Sequence, residues 1–315
     1  MNLNAFQIAL RGMAMGMAEV VPGVSGGTIA FITGIYERLL EAIKSFSPAL
    51  VGVFRREGVP GLWKAIHGNF LVALLLGMAA GIVVGIFGIT WLIEHQPQAI
   101  WSFFFGLILA SAVWIGRQMN GWTWREVTGL LVASALAYWI TIASPATGSE
   151  NLLFVLICGM IAISAMLLPG ISGSFLLLLM GMYTVVIGHV KGMLETFAAE
   201  HLMIVGVFAV GCLIGLAGFS RVLTWVFRHY HNLALAILTG FMLGSLNRLW
   251  PWKIVTATRI NSQGEEVPFI ERSVWPSDFP GDPQVLTVIV CLLAGFGLVW
   301  FMDSRSPSKA LDPGQ

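Results

Sequence analysis

Two short stretches carry most of the unusual chemistry of this chain. The first is Glu19-Val20-Val21-Pro22-Gly23-Val24-Ser25-Gly26-Gly27-Thr28, and the second is Met166-Leu167-Leu168-Pro169-Gly170-Ile171-Ser172-Gly173-Ser174-Phe175. Both read x-P-G-[VI]-S-G-[GS], and each sits inside a long apolar run. Proline removes a backbone donor and glycine weakens a helix, so each stretch should break one. A helix restarting at Gly26-Gly27-Thr28 or Gly173-Ser174-Phe175 offers unpaired N–H groups and the positive end of its dipole. Ser25, Thr28, Ser172 and Ser174 add hydroxyl donors, and Pro22, Gly23, Pro169 and Gly170 shape the approach. That combination suits an anion, phosphate above all. The competing reading is that Gly and Ser only permit close helix packing and satisfy the broken backbone.

Glu19 lies three residues before the first proline, and its counterpart in the second stretch is Met166. An acid in an apolar helix is costly and functional by default. It suits proton carriage during transport, unless it merely pairs with Arg11 or caps the broken helix. Arg221 interrupts another apolar run; it can neutralise a phosphate, or its head can snorkel to the interface. Arg11 and Arg38 read as interface anchors, and His95 and His229 as structural. Cys158, Cys212 and Cys291 lie singly in apolar runs, and no Cys/His spacing points to a metal or a disulfide framework. No motif calls for a cofactor or a covalent catalyst.

The elements that must position these residues are membrane helices. The chain is 57% hydrophobic and 10% charged, with a mean hydropathy of +0.83. Soluble domains carry about 25% charged residues. Seventeen basic and sixteen acidic residues nearly cancel, so nothing suggests a nucleic-acid partner. About twenty apolar residues cross the hydrocarbon. Residues 5–44 read as a helix, the first break and a second helix; 45–69 read as a loop. Spans follow at 70–93, 99–117 and 126–143. The uncharged run 151–188 holds the second break, with spans at 202–227, 232–250 and 284–302. Residues 251–283 form the one sizeable polar loop, and 303–315 a polar tail.

The two halves repeat each other. Shifted by 147, Gly12, Pro22, Gly23, Ser25, Gly26, Gly34 and Tyr36 fall on Gly159, Pro169, Gly170, Ser172, Gly173, Gly181 and Tyr183. Shifted by 134, Gly77, Gly81, Trp91, His95 and Gly106 fall on Gly211, Gly215, Trp225, His229 and Gly240. The expected fold is therefore an all-α polytopic membrane protein of two inverted repeats, 1–148 and 149–302. Each repeat is a re-entrant helical hairpin with a P-G-x-S-G tip plus three transmembrane helices. Counting basic loop residues puts both termini in the cytoplasm and 251–283 outside. Broken backbone in lipid must be buried in protein or line a wet cavity, so the two tips should meet near the midplane.

Composition and spacing thus give an inverted-repeat carrier with an anion site. A carrier or channel for a small anion fits that reading, as does one for a lipid phosphate. The stretches G-M-A-M-G-M-A-E-V-V-P-G-V-S-G-G-T-I-A-F-I-T-G-I-Y-E-R-L-L, M-L-L-P-G-I-S-G-S-F-L-L-L-L-M-G-M-Y and G-S-L-N-R-L-W-P-W-K resemble the bacterial polyprenyl-phosphate transporter family, PopT, across essentially the whole chain. That resemblance implies an inner-membrane translocase that returns undecaprenyl phosphate from the outer to the inner leaflet for cell-wall synthesis. It implies a head-group path along Glu19, the Pro22–Thr28 loop and the Pro169–Ser174 loop. It leaves a homo-oligomer open. A weaker resemblance links the loops to a membrane phosphatase acting on undecaprenyl pyrophosphate. Where that enzyme has a His and an Arg, this chain has Gly27-Thr28-Ile29 and Ile171-Ser172-Gly173, so the loops assemble no nucleophile–base pair.

Overall fold

A computed structural model of the chain describes residues 3–21, 24–119, 121–143, 146, 148–260 and 266–304. Pro22 and Gly23, the tail from residue 305 and most of the expected turn at 144–148 lie outside the described residues. The first half runs α1 (Ala5–Val20), α2 (Gly26–Ile32), α3 (Tyr36–Ser45), α4 (Leu50–Ala65), α5 (Gly68–His95), α6 (Pro97–Gln118) and α7 (Trp124–Ile142). The second runs α8 (Leu152–Leu167), α9 (Gly173–Leu179), α10 (Tyr183–Thr196), α11 (Ala199–His229), α12 (His231–Ser245) and α13 (Val285–Ser304). Between α12 and α13 come a 3-10 turn (Leu246–Leu249) and a hairpin of β1 (Lys253–Ile260) and β2 (Glu266–Ser273).

Four helices, α5, α6, α11 and α12 with its 3-10 extension, are long and apolar enough to cross a membrane among the described residues. The pair α9–α10, bent by 105°, makes a fifth if it is one span. Helices α8 and α13 are shorter apolar helices. Large apolar side chains stand exposed along α5 (Leu76, Phe87), α7 (Leu131, Trp139) and α13 (Leu286, Leu293). Such faces suit a hydrocarbon solvent rather than water.

The matched glycines explain how the helices pair. α1 packs along α5, and α8 along α11. A Cβ on Gly77 would stand 2.0 Å from the Ala9 carbonyl oxygen, and one on Gly81 2.0 Å from that of Met13. Their counterparts Gly211 and Gly215 meet Leu156 and Met160 in the same way, at 2.3 and 2.6 Å. Leu156 and Met160 lie 147 residues after Ala9 and Met13, so the two interfaces share one register. Small residues let membrane helices approach backbone to backbone, which substitutes for the hydrophobic effect that lipid cannot supply. The last helices cross between halves: α6 packs on α13 and α7 on α12. Gly106 against Leu292 and its counterpart Gly240 against Leu130 repeat the device there.

Three expectations need correction. Residues 50–65 are helix rather than loop; Gly58, at φ 64°, kinks α4 instead of ending it. The segment after each break is not one helix. Gly34 (φ 73°) and Gly181 (φ 68°) turn the chain again, between α2 and α3 and between α9 and α10. These positive dihedrals favour glycine, and they fall in the matched G-I-Y and G-M-Y triplets. The polar segment 251–283 is not wholly irregular. It contains the antiparallel β1–β2 ladder, with Lys253 opposite Ser273 and a bulge after Val255.

A candidate site where the two helix breaks meet

α1 ends at Val20 and α2 begins at Gly26, so the first break falls on the expected stretch. α8 ends at Leu167 and α9 begins at Gly173, which does the same for the second. Both restarts are capped by the predicted serines. Ser25 Oγ accepts from the Gly27 N–H at 3.1 Å, and Ser172 Oγ from that of Phe175 at 3.5 Å. Serine suits the N-cap because its oxygen reaches back to a donor that the helix leaves unpaired.

The structure brings the two breaks together. The Gly170 N–H donates to Thr28 Oγ1 at 2.8 Å. Ser25 Oγ donates to the Met166 carbonyl at 3.3 Å, and the Tyr36 hydroxyl to the Leu167 carbonyl at 2.7 Å. Each bond joins residues more than 130 apart in sequence. The last two satisfy carbonyls that the end of α8 leaves without a helical partner. Tyr36 is anchored by Phe31 and by Phe227 of α11, with ring centroids 5.3 and 5.8 Å away. Gly27 is required by proximity: a Cβ there would stand 2.8 Å from the Met166 carbonyl oxygen.

Glu19 does not pair with Arg11. Its Oε1 accepts from the Gly26 N–H at 2.8 Å, so the carboxylate occupies the start of α2. Arg11 instead donates from Nε to the Thr33 carbonyl at 3.2 Å, tying α1 to the end of α2. Arg221 turns back on α11, donating to the Ala217 carbonyl at 2.6 Å rather than to either break. His95 and His229 behave alike, as their matched positions predict. Each Nδ1–H donates to a carbonyl of its own helix, at 2.9 Å, and each ring stacks on a tryptophan.

The breaks differ in access. Ser25, Gly26, Gly27 and Thr28 are buried. In the second break Gly170 and Gly173 are buried, Ser172 is half-buried and Ser174 is exposed; their hydroxyls lie 2.9 Å apart. Beside this second break opens a shallow cleft, lined by Ile140 and Thr141 of α7, by Gly170, Ser172 and Phe175, and by Arg248.

Arg248 was not singled out by its sequence context, although the G-S-L-N-R-L-W-P-W-K stretch contains it. Its guanidinium lies 5.0 Å from the centre of the Phe175 ring, and its Nη1 is 3.1 Å from Glu271 on β2. Glu271 is shared with Lys253, 3.7 Å away, whose ammonium also sits 3.7 Å above the Trp101 ring. Burial pushes Lys253 down to about 7, with Glu271 pulling the other way. Asn247 completes the joint. It donates to Thr141 at 2.7 Å and accepts from Ser273 at 3.0 Å, holding the hairpin against α7.

A model of the VCA0040-like, undecaprenyl phosphate translocase-like family matches residues 15–267. A Vibrio cholerae protein named polyprenyl-phosphate transporter is 45% identical over 302 residues, 95% of this chain and 96% of that one. A Staphylococcus aureus protein of the same name is 32% identical over 260 residues, 77% of this chain and 85% of that one. No solved structure matches. With the two motif breaks, the apolar spans and these matches in agreement, the chain belongs to the undecaprenyl phosphate translocase-like family.

Proposed function

We propose that this chain is a translocase, not an enzyme, that carries a polyprenyl phosphate across the bacterial plasma membrane from the outer to the inner leaflet. The observation that carries the reading is the direct seam between the two breaks, made by Thr28, Ser25 and Tyr36 against Gly170, Met166 and Leu167. Two discontinuous helices that meet inside an apolar body are how many carriers build a central site. The names of both relatives specify a polyprenyl phosphate as the cargo of those proteins, and here Ser172 and Ser174 are the break hydroxyls that stay accessible to a phosphate head group.

The architecture in this reading is two oppositely oriented units, 1–148 and 149–302, each a re-entrant hairpin with three spans. The reciprocal packing of α6 on α13 and α7 on α12 supports it, because exchanging the halves exchanges the contacts. Both termini then face the cytoplasm and the β-hairpin faces out. Glu19 is the coupling acid: a proton on it weakens its hold on Gly26, and its loss restores that hold. Alternation between leaflets consists of opening one break while the other stays closed, and the unequal burial of the two breaks fits one such state.

The reading predicts selectivity for the charged head. Undecaprenyl phosphate at about a hundredfold above its Kd should stabilise the purified protein by about 2.7 kcal/mol in thermal unfolding. Undecaprenol, with the same tail and no phosphate, should give no shift beyond that of the detergent. Equal shifts from the two lipids would remove the anion site from the account.

A further inference from the structure

The cleft beside the second break holds a cation that no expectation assigned. Arg248 side-chain exposure is 17%, and its Nε is buried without a hydrogen-bond partner. A guanidinium has five N–H donors in a rigid fork, and a buried one left unpaired is costly. Among the described residues its ion pair runs from Nη1 to Glu271, at 3.1 Å. Arg248 lines the same cleft as Ser172, whose hydroxyl is paired with that of Ser174. Arginine and a serine hydroxyl lining one cleft match the oxygens of a phosphomonoester, since the fork binds two of them at once.

Besides the Thr141 hydroxyl, which Asn247 engages, the rest of the lining is mostly apolar: Ile140, Ala137, Ile171 and the Phe175 ring. Beside them on α7 the side chains of Leu136 and Trp139 are exposed. A ligand with a charged head and a hydrocarbon tail can therefore place its head at Arg248 and run its tail out along α7. Glu271 is equipped to release the arginine. It sits between Arg248 and Lys253, so it keeps Lys253, 3.7 Å away, as a neighbour when the guanidinium turns to a phosphate.

We propose that Arg248 is the phosphate-binding residue of an outward-facing substrate cleft, with Ser172 as its hydroxyl partner. Glu271 holds the guanidinium in place and is displaced by the head group. The proposal rests on the lipid-phosphate reading above, and it assigns recognition to a side chain outside both P-G-x-S-G loops.

The test is direct binding of farnesyl phosphate, farnesol and inorganic phosphate to the full-length protein in detergent, by isothermal titration. Wild type, Arg248→Gln, Arg248→Lys and Glu271→Gln are compared. Arg248→Gln should raise the Kd for farnesyl phosphate about tenfold or more. Arg248→Lys keeps the charge but loses the fork, and should raise it by about threefold. Glu271→Gln frees the fork, so its affinity should equal or exceed that of wild type. A purely structural ion pair predicts instead that removing either partner weakens binding alike, and that outcome overturns the proposal. So does a Kd unchanged in Arg248→Gln while wild type binds, which leaves the lipid-phosphate reading standing. If Arg248→Gln does not purify as a monodisperse species, an unchanged Kd in Arg248→Lys overturns it equally. Inorganic phosphate bound as tightly as farnesyl phosphate supports Arg248 but contradicts a lipid cargo. Wild type that binds neither contradicts both.

Discussion

Glu19→Gln should lower lipid transport by about tenfold or more while leaving the unfolding temperature unchanged. The separation of the two effects follows from the geometry. Glu19 Oε1 accepts from the Gly26 N–H at 2.8 Å, and glutamine offers an oxygen at the same place. The start of α2 therefore keeps its cap. What disappears is the charge and the group that can gain and lose a proton inside an apolar helix. Glu19→Ala removes the cap as well, and should cost about 1 kcal/mol of stability besides the loss of transport. Transport at the wild-type rate by Glu19→Gln, across a range of pH, would strip Glu19 of its coupling role and leave it a cap.

Gly27→Val should be the most damaging single change at the seam. A Cβ on Gly27 would stand 2.8 Å from the Met166 carbonyl and 3.4 Å from that of Leu167, and both are backbone atoms that cannot rotate away. The breaks must then separate. That strains or breaks the bonds from Ser25 to Met166 and from Tyr36 to Leu167. Overpacking of this kind costs about 1–3 kcal/mol, and each buried bond lost adds about 1 kcal/mol. The variant should unfold at a markedly lower temperature and transport little. Gly88→Val is the matched control, because nothing lies within 4 Å of a Cβ there. Should Gly27→Val unfold and transport like Gly88→Val, the breaks are not pressed together as described.

The sequence made the breaks and the packing glycines legible because each leaves a local mark. P-G-x-S-G is a chemical interruption of a helix, and the shifts of 147 and 134 place Gly77 and Gly211 at equivalent backbone crossings. Other features had no local mark. Gly58 and Pro60 punctuate this segment as they would a loop, yet only Gly58 leaves helical geometry and helix resumes just after it. The β-hairpin lies in a stretch rich in Pro, Asp and Glu, where strand alternation is weak. Arg221 drew attention because it interrupts an apolar run, whereas Arg248 sits at the end of one. Its partners, Glu271 and Phe175, are distant in sequence, and only the fold brings them to one cleft. The same holds for Tyr36, whose hydroxyl reaches a carbonyl 131 residues away.

The most direct test is movement of the lipid itself. Purified protein in liposomes, supplied with labelled undecaprenyl phosphate in one leaflet, is followed by loss of the label to an impermeant reagent, with and without a pH gradient. The account predicts rapid movement of the phosphate and none of undecaprenol, faster with the gradient and abolished in Glu19→Gln. Phosphate movement no faster than in protein-free liposomes, or equal movement of phosphate and alcohol, would contradict it.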